Sequence, residues 1–264
     1  MPVFQLNDDK LYYEMEGEGA PLLLIHGVRG TIRNWNYVRP YLTTRFLTII
    51  PELRGHGQST ELKEPCTIDL FSNDLVSLLD YLDIDECIVA GHSLGGFIAQ
   101  TMALNASNRV KALILIATAP LVDVEAAMAQ IELGKLAFGL KPQDAIEIVL
   151  DNEFYDPDKI RNTPGLVEIL LFNLKEGQRL ANSHGCAQGA AAKFNVQDHI
   201  KKITAPTLAI FGSHDKTFPP RWAQFYEENL RNVTTKIIEK TNHGIFFEQP
   251  EALSKAIIDF SNTL

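Results

Sequence analysis

Cysteine is scarce in this chain: three residues in 264, Cys66, Cys87 and Cys186. An odd number at wide spacing fits neither a disulfide framework nor a metal site, and no second ligand candidate stands beside Cys186. The expectation is a reducing, cytoplasmic location and no metal. Excess positive charge is missing too. Lys and Arg number 24 against 33 Asp and Glu, a net charge of −9, and no basic cluster tracks a phosphate backbone. Nucleic acid is therefore not an expected partner. No apolar run approaches the ~18 residues that cross a bilayer. The first ten residues carry neither the basic end nor the apolar stretch of an export signal, so neither membrane residence nor secretion is expected.

Apolar mass is present: 45% of residues, enough for a large core. Chains of this length in α/β folds often form one unit. The pivotal stretch is Cys87-Ile88-Val89-Ala90-Gly91-His92-Ser93-Leu94-Gly95-Gly96. A short apolar run stops at a glycine, a serine follows two places on, and a helical pattern begins after it. This spacing predicts strand, sharp turn and helix with Ser93 at the apex. Side chains at 91 or 95 would collide with the neighbouring strand and helix. The corner lifts the hydroxyl out of the sheet and places the amide of Leu94 at a helix start, where N–H groups lack partners. That pairing suits a nucleophile attacking a carbonyl.

Residues 3–6 and 11–16 read as a hairpin. Residues 22–25, 46–50, 87–90, 112–117, 207–211 and 234–239 read as further strands, several of them apolar without alternation, the mark of strands covered on both faces. A short or irregular helix, broken by Pro40, is expected over 31–43, and an amphipathic one over 68–82. The serine helix runs over 93–106, and Pro220 and Pro250 lead into two more near the C-terminus. The strand grammar is interrupted over 121–203, where helical patterns are expected at 124–138, after Pro142 and at 166–174. Over 181–193 five alanines are offset by Gly185 and Gly189, which weakens a helix there. The sum is an eight-stranded, mostly parallel α/β sheet with helices on both faces. It is formed by residues 1–120 and 204–264, with a helical cap inserted at 121–203.

Ligands in such sheets bind at the carboxyl ends of strands. Val28, Ser93, Asp215 and His243 each fall just past one. A serine hydroxyl needs a base, and among seven histidines His243 has a free loop after the last strand in which to reach it. The imidazole needs a carboxylate behind it. Asp215 is the first choice and Asp123 the rival. Val28, in the glycine loop His26-Gly27-Val28-Arg29-Gly30, offers a second amide opposite Leu94. Arg29 faces either an anionic substrate group or solvent. The cap's apolar residues either line the cleft or pack the cap onto the sheet.

The order Ser93, Asp215, His243 and the serine corner resemble the α/β-hydrolase fold family, and the likeness runs the length of the chain. The matching residues include His26-Gly27 with Gly30-Thr31, Trp35, Arg54-Gly55-x-Gly57-x-Ser59, Gly91-His92-Ser93-Leu94-Gly95-Gly96, Gly212-x-x-Asp215 and Asn242-His243-Gly244. Glu52 departs from the usual aspartate, with an effect expected on loop packing. Val28 departs from a frequent aromatic and leaves a roomier site. The chain looks most like small bacterial esterases and lactonases, a group with enol-lactonase, carbon–carbon hydrolase and perhydrolase relatives. The resemblance implies Ser93, Asp215 and His243 as the catalytic triad and Val28 and Leu94 as the oxyanion hole. Trp35, Arg29 and His92 become substrate-binding candidates. No cofactor is implied, and the implied partner is a small-molecule ester or lactone. Cleavage of ring-fission diketones is one alternative, and a ligand sensor that keeps the triad is another. The rate is expected to fall as pH drops through about 6 to 7, since His243 must be neutral to act as base.

Overall fold

The structure is a computed structural model that describes residues 2–6, 8–62, 66–122, 132, 136 and 139–264. Apart from residues 132 and 136, the helix expected over 124–138 lies outside the described residues, as does the carboxylate of Asp123. Eight strands form one sheet: β1 (Val3–Leu6), β2 (Asp9–Glu16), β3 (Ala20–Ile25), β4 (Phe46–Pro51), β5 (Cys87–His92), β6 (Val110–Ile116), β7 (Thr207–Gly212) and β8 (Val233–Ile238). Their spatial order is β1-β2-β4-β3-β5-β6-β7-β8. The β1–β2 and β2–β4 pairs are antiparallel and all others parallel. The chain moves one way from β3 to β4 and the other way to β5, so the ends of β3 and β5 open a crevice at the reversal.

Ten α-helices occur among the described residues: α1 (Arg39–Leu42), α2 (Ile68–Tyr81), α3 (Leu94–Asn105), α4 (Pro142–Glu153), α5 (Pro157–Arg161), α6 (Leu166–Arg179), α7 (Ala181–Ala191), α8 (Arg221–Asn229), α9 (Ile245–Glu248) and α10 (Pro250–Ser261). The uninterrupted apolar strands explain the layering. Leu22, Leu24 and Ile114 face one core with Leu42 of α1 and Ile257 of α10. Leu23, Val89 and Leu113 face the other, with Leu75 of α2, Phe97 of α3 and Tyr226 of α8. Neither face is left to solvent, as a parallel sheet requires.

Local chemistry sets the helix ends. Thr67 caps α2, its hydroxyl accepting the Leu70 N–H at 3.1 Å. Pro40 stands in the first turn of a four-residue α1, preceded by a 3-10 turn at Ile32–Trp35 that Thr31 and Asn34 cap reciprocally. α7 departs from expectation, because Ala181–Ala191 is helical despite its two glycines. A side chain at Gly185 or Gly189 would meet nothing within 4 Å, so both lie on an open face. Ser183, His184 and Ala187 are buried on the opposite face, and that packing overrides the weak intrinsic propensity.

Candidate active site

β5 ends at His92 and α3 begins at Leu94, so Ser93 alone makes the corner. Its backbone sits at φ 52° and ψ −117°, a region that L-residues occupy only when the surroundings hold them there. Those surroundings are main chain and one threonine hydroxyl. The Ser93 N–H donates to the Ile116 carbonyl at 3.0 Å, and its carbonyl accepts from the Gly96 N–H at 2.8 Å and the Thr118 hydroxyl at 3.0 Å. A Cβ on Gly91 would fall on the Gly95 carbonyl, and one on Gly95 would fall on the Ile25 carbonyl. The two glycines are thus required by close backbone approach.

β3 lies beside β5, with Ile25 paired to Gly91, so the loop after β3 emerges next to the serine. A Cβ on Gly27 would stand 3.1 Å from Ser93 Cβ. The Gly30 N–H closes a turn onto the Gly27 carbonyl at 3.0 Å. Between them Val28 meets the same cavity as Ser93 and Leu94. Leu94 is the first residue of α3, so its N–H has no acceptor within the helix.

Asp215 follows β7 and is 3% exposed. Its Oδ1 accepts the N–H groups of Thr217 and Phe218, both at 2.8 Å. Oδ2 faces His243 Nδ1 at 3.0 Å. The His243 carbonyl accepts a hydrogen bond from His92 Nε2 at 3.1 Å. Burial pushes the His243 imidazole down, but the charge and hydrogen bond of Asp215, joined by the charge of Glu153, outweigh it and raise its pKa to about 9. The lift comes first from Asp215 and only then from Glu153, so the titration is expected above the value of about 6 to 7 of an isolated imidazole.

Ser93, His243, Val28, Leu94, Arg29 and His92 all line one cavity of about 220 Å³. Phe154, Leu170, Leu174, Phe246 and Phe247 give it apolar walls; Glu153, Asn34, Asn173 and Gln188 supply polar ones. Helices α4, α6 and α7 contribute to this lining. Trp35 does not reach it. That indole is fully buried, 5.7 Å between ring centroids from Phe246, and acts as the floor under a lining residue. Arg29 has a left-handed φ of 62° and donates from Nη2 to Gln188 Oε1 at 3.4 Å. Burial lowers its pKa, opposed by the charge of Glu153.

Five polar lining residues, Asn34, Glu153, Asn173, Gln188 and Thr217, were not signalled by the sequence. Asn34 had a local signal, since Thr31-x-x-Asn34 forms a reciprocal cap. Asn173 donates to Asn34 Oδ1 at 2.9 Å and accepts from the Thr31 hydroxyl at 3.0 Å, a pairing across 139 residues that no local pattern announces. Glu153 and Gln188 carry no such signal. Glu52, the departure from the usual aspartate, is buried, and its carboxylate accepts the Gln58 N–H at 2.6 Å while its carbonyl accepts from the Ser59 hydroxyl at 2.6 Å. It packs the loop, and burial pushes its pKa to about 7.

Among the described residues, no group of three or more His, Cys, Asp or Glu side chains is placed to hold a metal ion, and no helix is long and apolar enough to cross a membrane. A sequence profile of the alpha/beta hydrolase fold matches residues 20–250. The chain is 28% identical over 266 residues to 3-oxoadipate enol-lactonase 2 of Acinetobacter baylyi, covering 97% of each protein. It superposes on an enol-lactonase from Burkholderia xenovorans LB400 with a TM-score of 0.87 at 21% identity, over 99% of this chain and 100% of the other. A meta-cleavage product hydrolase from Pseudomonas fluorescens IP01 superposes with a TM-score of 0.83 at 21% identity, over 100% and 98%. At those identities the two structural likenesses are likenesses of fold.

Proposed function

We propose, from the premise that this chain belongs to the alpha/beta hydrolase fold family, that it is a serine hydrolase cleaving a carboxylic ester or lactone of small to medium size through an acyl-enzyme. The observation that carries the reading is the pairing of His243 Nδ1 with Asp215 Oδ2 at 3.0 Å on the cavity that also holds Ser93 at its left-handed corner. Ser93 Oγ attacks the carbonyl carbon as His243 Nε2 takes its proton, and Asp215 holds the imidazolium that forms. The amides of Val28 and Leu94 receive the oxyanion, each supplying roughly 3 to 4 kcal/mol. His243 then gives its proton to the leaving alcohol. It next takes one from water, whose oxygen attacks the acyl carbon and frees the acid and Ser93. Residues 121–203 act as a cap over a core of 1–120 and 204–264. The low cysteine content, three residues in 264, fits a cytoplasmic location.

Sustained turnover of a short p-nitrophenyl ester, followed by a screen of acyl esters and lactones of graded length, tests this function. Saturable multiple turnover supports it; release of one equivalent followed by stalling points to a ligand sensor instead. The fold shared with a meta-cleavage product hydrolase keeps carbon–carbon cleavage as the second reading. Loss of a chromophoric dienol substrate without ester turnover would select it.

The raised histidine has a kinetic consequence. A base whose pKa is lifted toward 9 is neutral only at high pH, so kcat/KM of the free enzyme rises with pH well beyond 7. Glu153→Gln removes one of the two charges that hold the proton. It is expected to move the acid limb down by about one pH unit, measured as kcat/KM against pH. A limb that stays where it is in the variant contradicts the assignment of Glu153.

A further inference from the structure

Glu248 closes α9 five residues after His243, and it is 2% exposed. A buried carboxylate needs its oxygens satisfied, and here every donor is main chain. Oε2 accepts the N–H of Asn242 at 2.7 Å, the residue immediately before His243. Oε1 accepts the N–H of Tyr155 at 2.7 Å and of Asp156 at 3.4 Å, just past the end of α4. Its own carbonyl accepts from Lys159 Nζ at 2.6 Å. One side chain therefore joins the segment before the imidazole to the chain that leaves α4.

Three further contacts run along the same seam. The Gly244 N–H donates to the Glu153 carbonyl at 3.1 Å. Asn242 Nδ2 donates to the Asn152 carbonyl at 2.9 Å. Asn242 Oδ1 accepts from the Lys216 N–H at 3.2 Å, one residue after Asp215. The residues on both sides of His243 are thus held by α4, and one of them is also held by the Asp215 loop. The 3.0 Å contact between imidazole and carboxylate sits between these ties.

We infer that Glu248 is a positioning residue, which through Asn242 and residues 155–156 fixes the His243 imidazole against Asp215 and makes the seating of α4 a condition for an assembled site. The inference rests on the reading of His243 as the base. A glutamine at 248 keeps the shape but offers one acceptor where the carboxylate offers two, and it turns an NH₂ group toward an N–H donor. The imidazole then loses its fixed orientation while the substrate cavity keeps its walls. Glu153, Asp215 and His92 are the titratable groups around the imidazole, and Lys159 is the cation on Glu248.

The test compares the whole chain with Glu248→Gln and Lys159→Met. Ester turnover is followed from about pH 6 to 10, with rates expressed per serine titrated by a fluorophosphonate. The downfield proton resonance of His243 Nδ1–H reports its contact with Asp215. For Glu248→Gln, kcat is expected to fall about ten- to a hundredfold with KM within about threefold. The acid limb should move down toward about 6.5, and the downfield resonance should broaden or vanish. Lys159→Met moves the same readouts in the same direction, severalfold less. A folded, phosphonate-reactive Glu248→Gln with the parent's kcat, limb and resonance overturns the inference. If Glu248→Gln does not fold, parent-like values in Lys159→Met overturn it instead. A parent protein whose Ser93 takes no phosphonate overturns the hydrolase reading itself, an outcome distinct from the others.

Discussion

Ser93→Ala is expected to lower turnover of a p-nitrophenyl ester by a factor on the order of 10⁶, the loss typical when a serine nucleophile is removed from a triad. The size follows from what one oxygen does. Without Oγ there is no covalent intermediate, His243 has no proton to take, and the oxyanion donors Val28 and Leu94 act only on water attack. The residual rate should remain 10³ to 10⁴ above the uncatalysed reaction, on the order found when only the hole and binding are left. Fold should be retained, because the corner is held by the Ser93 main chain, through Ile116, Gly96 and Thr118, and a φ of 52° burdens alanine about as much as serine. Rates per folded molecule, with phosphonate labelling of both proteins, make the comparison. A variant that keeps more than about a hundredth of the activity would place the nucleophile elsewhere.

The serine corner could be read from sequence because its causes are local. An apolar strand, two glycines pressed against backbone and a helix start all fall within ten residues. The interior strands were legible for a related reason: β3, β5 and β7 are continuous apolar runs with no solvent face to encode. What lay beyond reach depends on distant partners. Trp35 matched a family pattern, yet whether an indole lines a cavity or supports Phe246 from beneath is settled by packing between segments more than 200 residues apart. Glu153 is one acidic residue at the end of a helix, and it comes near His243 across a seam where Gly244 is bonded to its carbonyl. The helicity of α7 was hidden by two glycines, whose cost is small on an open face. The exchange of β3 and β4 in the sheet has no local signature at all, and it is this exchange that brings Val28 beside Ser93.

The second large effect concerns acid. Four buried histidines are held neutral in the folded chain. Burial, slightly offset by a backbone hydrogen bond, brings His26 down to about 4. Burial, with Arg29, His26 and Arg179 nearby, brings His184 down to about 3. His56 and His92 are held well below 6.5, by burial first and then by the neighbouring histidines. An unfolded chain takes up a proton at each as pH falls through about 6.5, whereas the folded chain does not, so stability is present above that pH and is lost below it. Between pH 6.5 and 5 His26 and His184 each cost about 1.6 kcal/mol, and His56 and His92 act in the same direction. Glu52 works in the opposite direction. Its pKa of about 7 lets the folded chain gain a proton in the same window, returning about 2 kcal/mol. Asp74 and Glu248, also raised by burial, act with Glu52 at lower pH. His243 adds nothing to the acid loss: with a folded pKa near 9, its stabilisation is complete below 6.5 and disappears as pH rises through 9. The loss at His26 and His184 already exceeds the return at Glu52, and His56 and His92 enlarge it, against a total stability of about 5 to 15 kcal/mol for an ordinary domain. Urea midpoints at pH 7, 6 and 5 should fall steeply. His184→Leu, which replaces a ring whose two nitrogens have no hydrogen-bond partner, should flatten that fall by about a third, since one proton is removed from a net linkage of three, four histidines against Glu52. Equal midpoints at pH 7 and 5 would mean that these imidazoles are charged in the folded chain, and that the rings stacked between α7 and the loop after β4 are solvated.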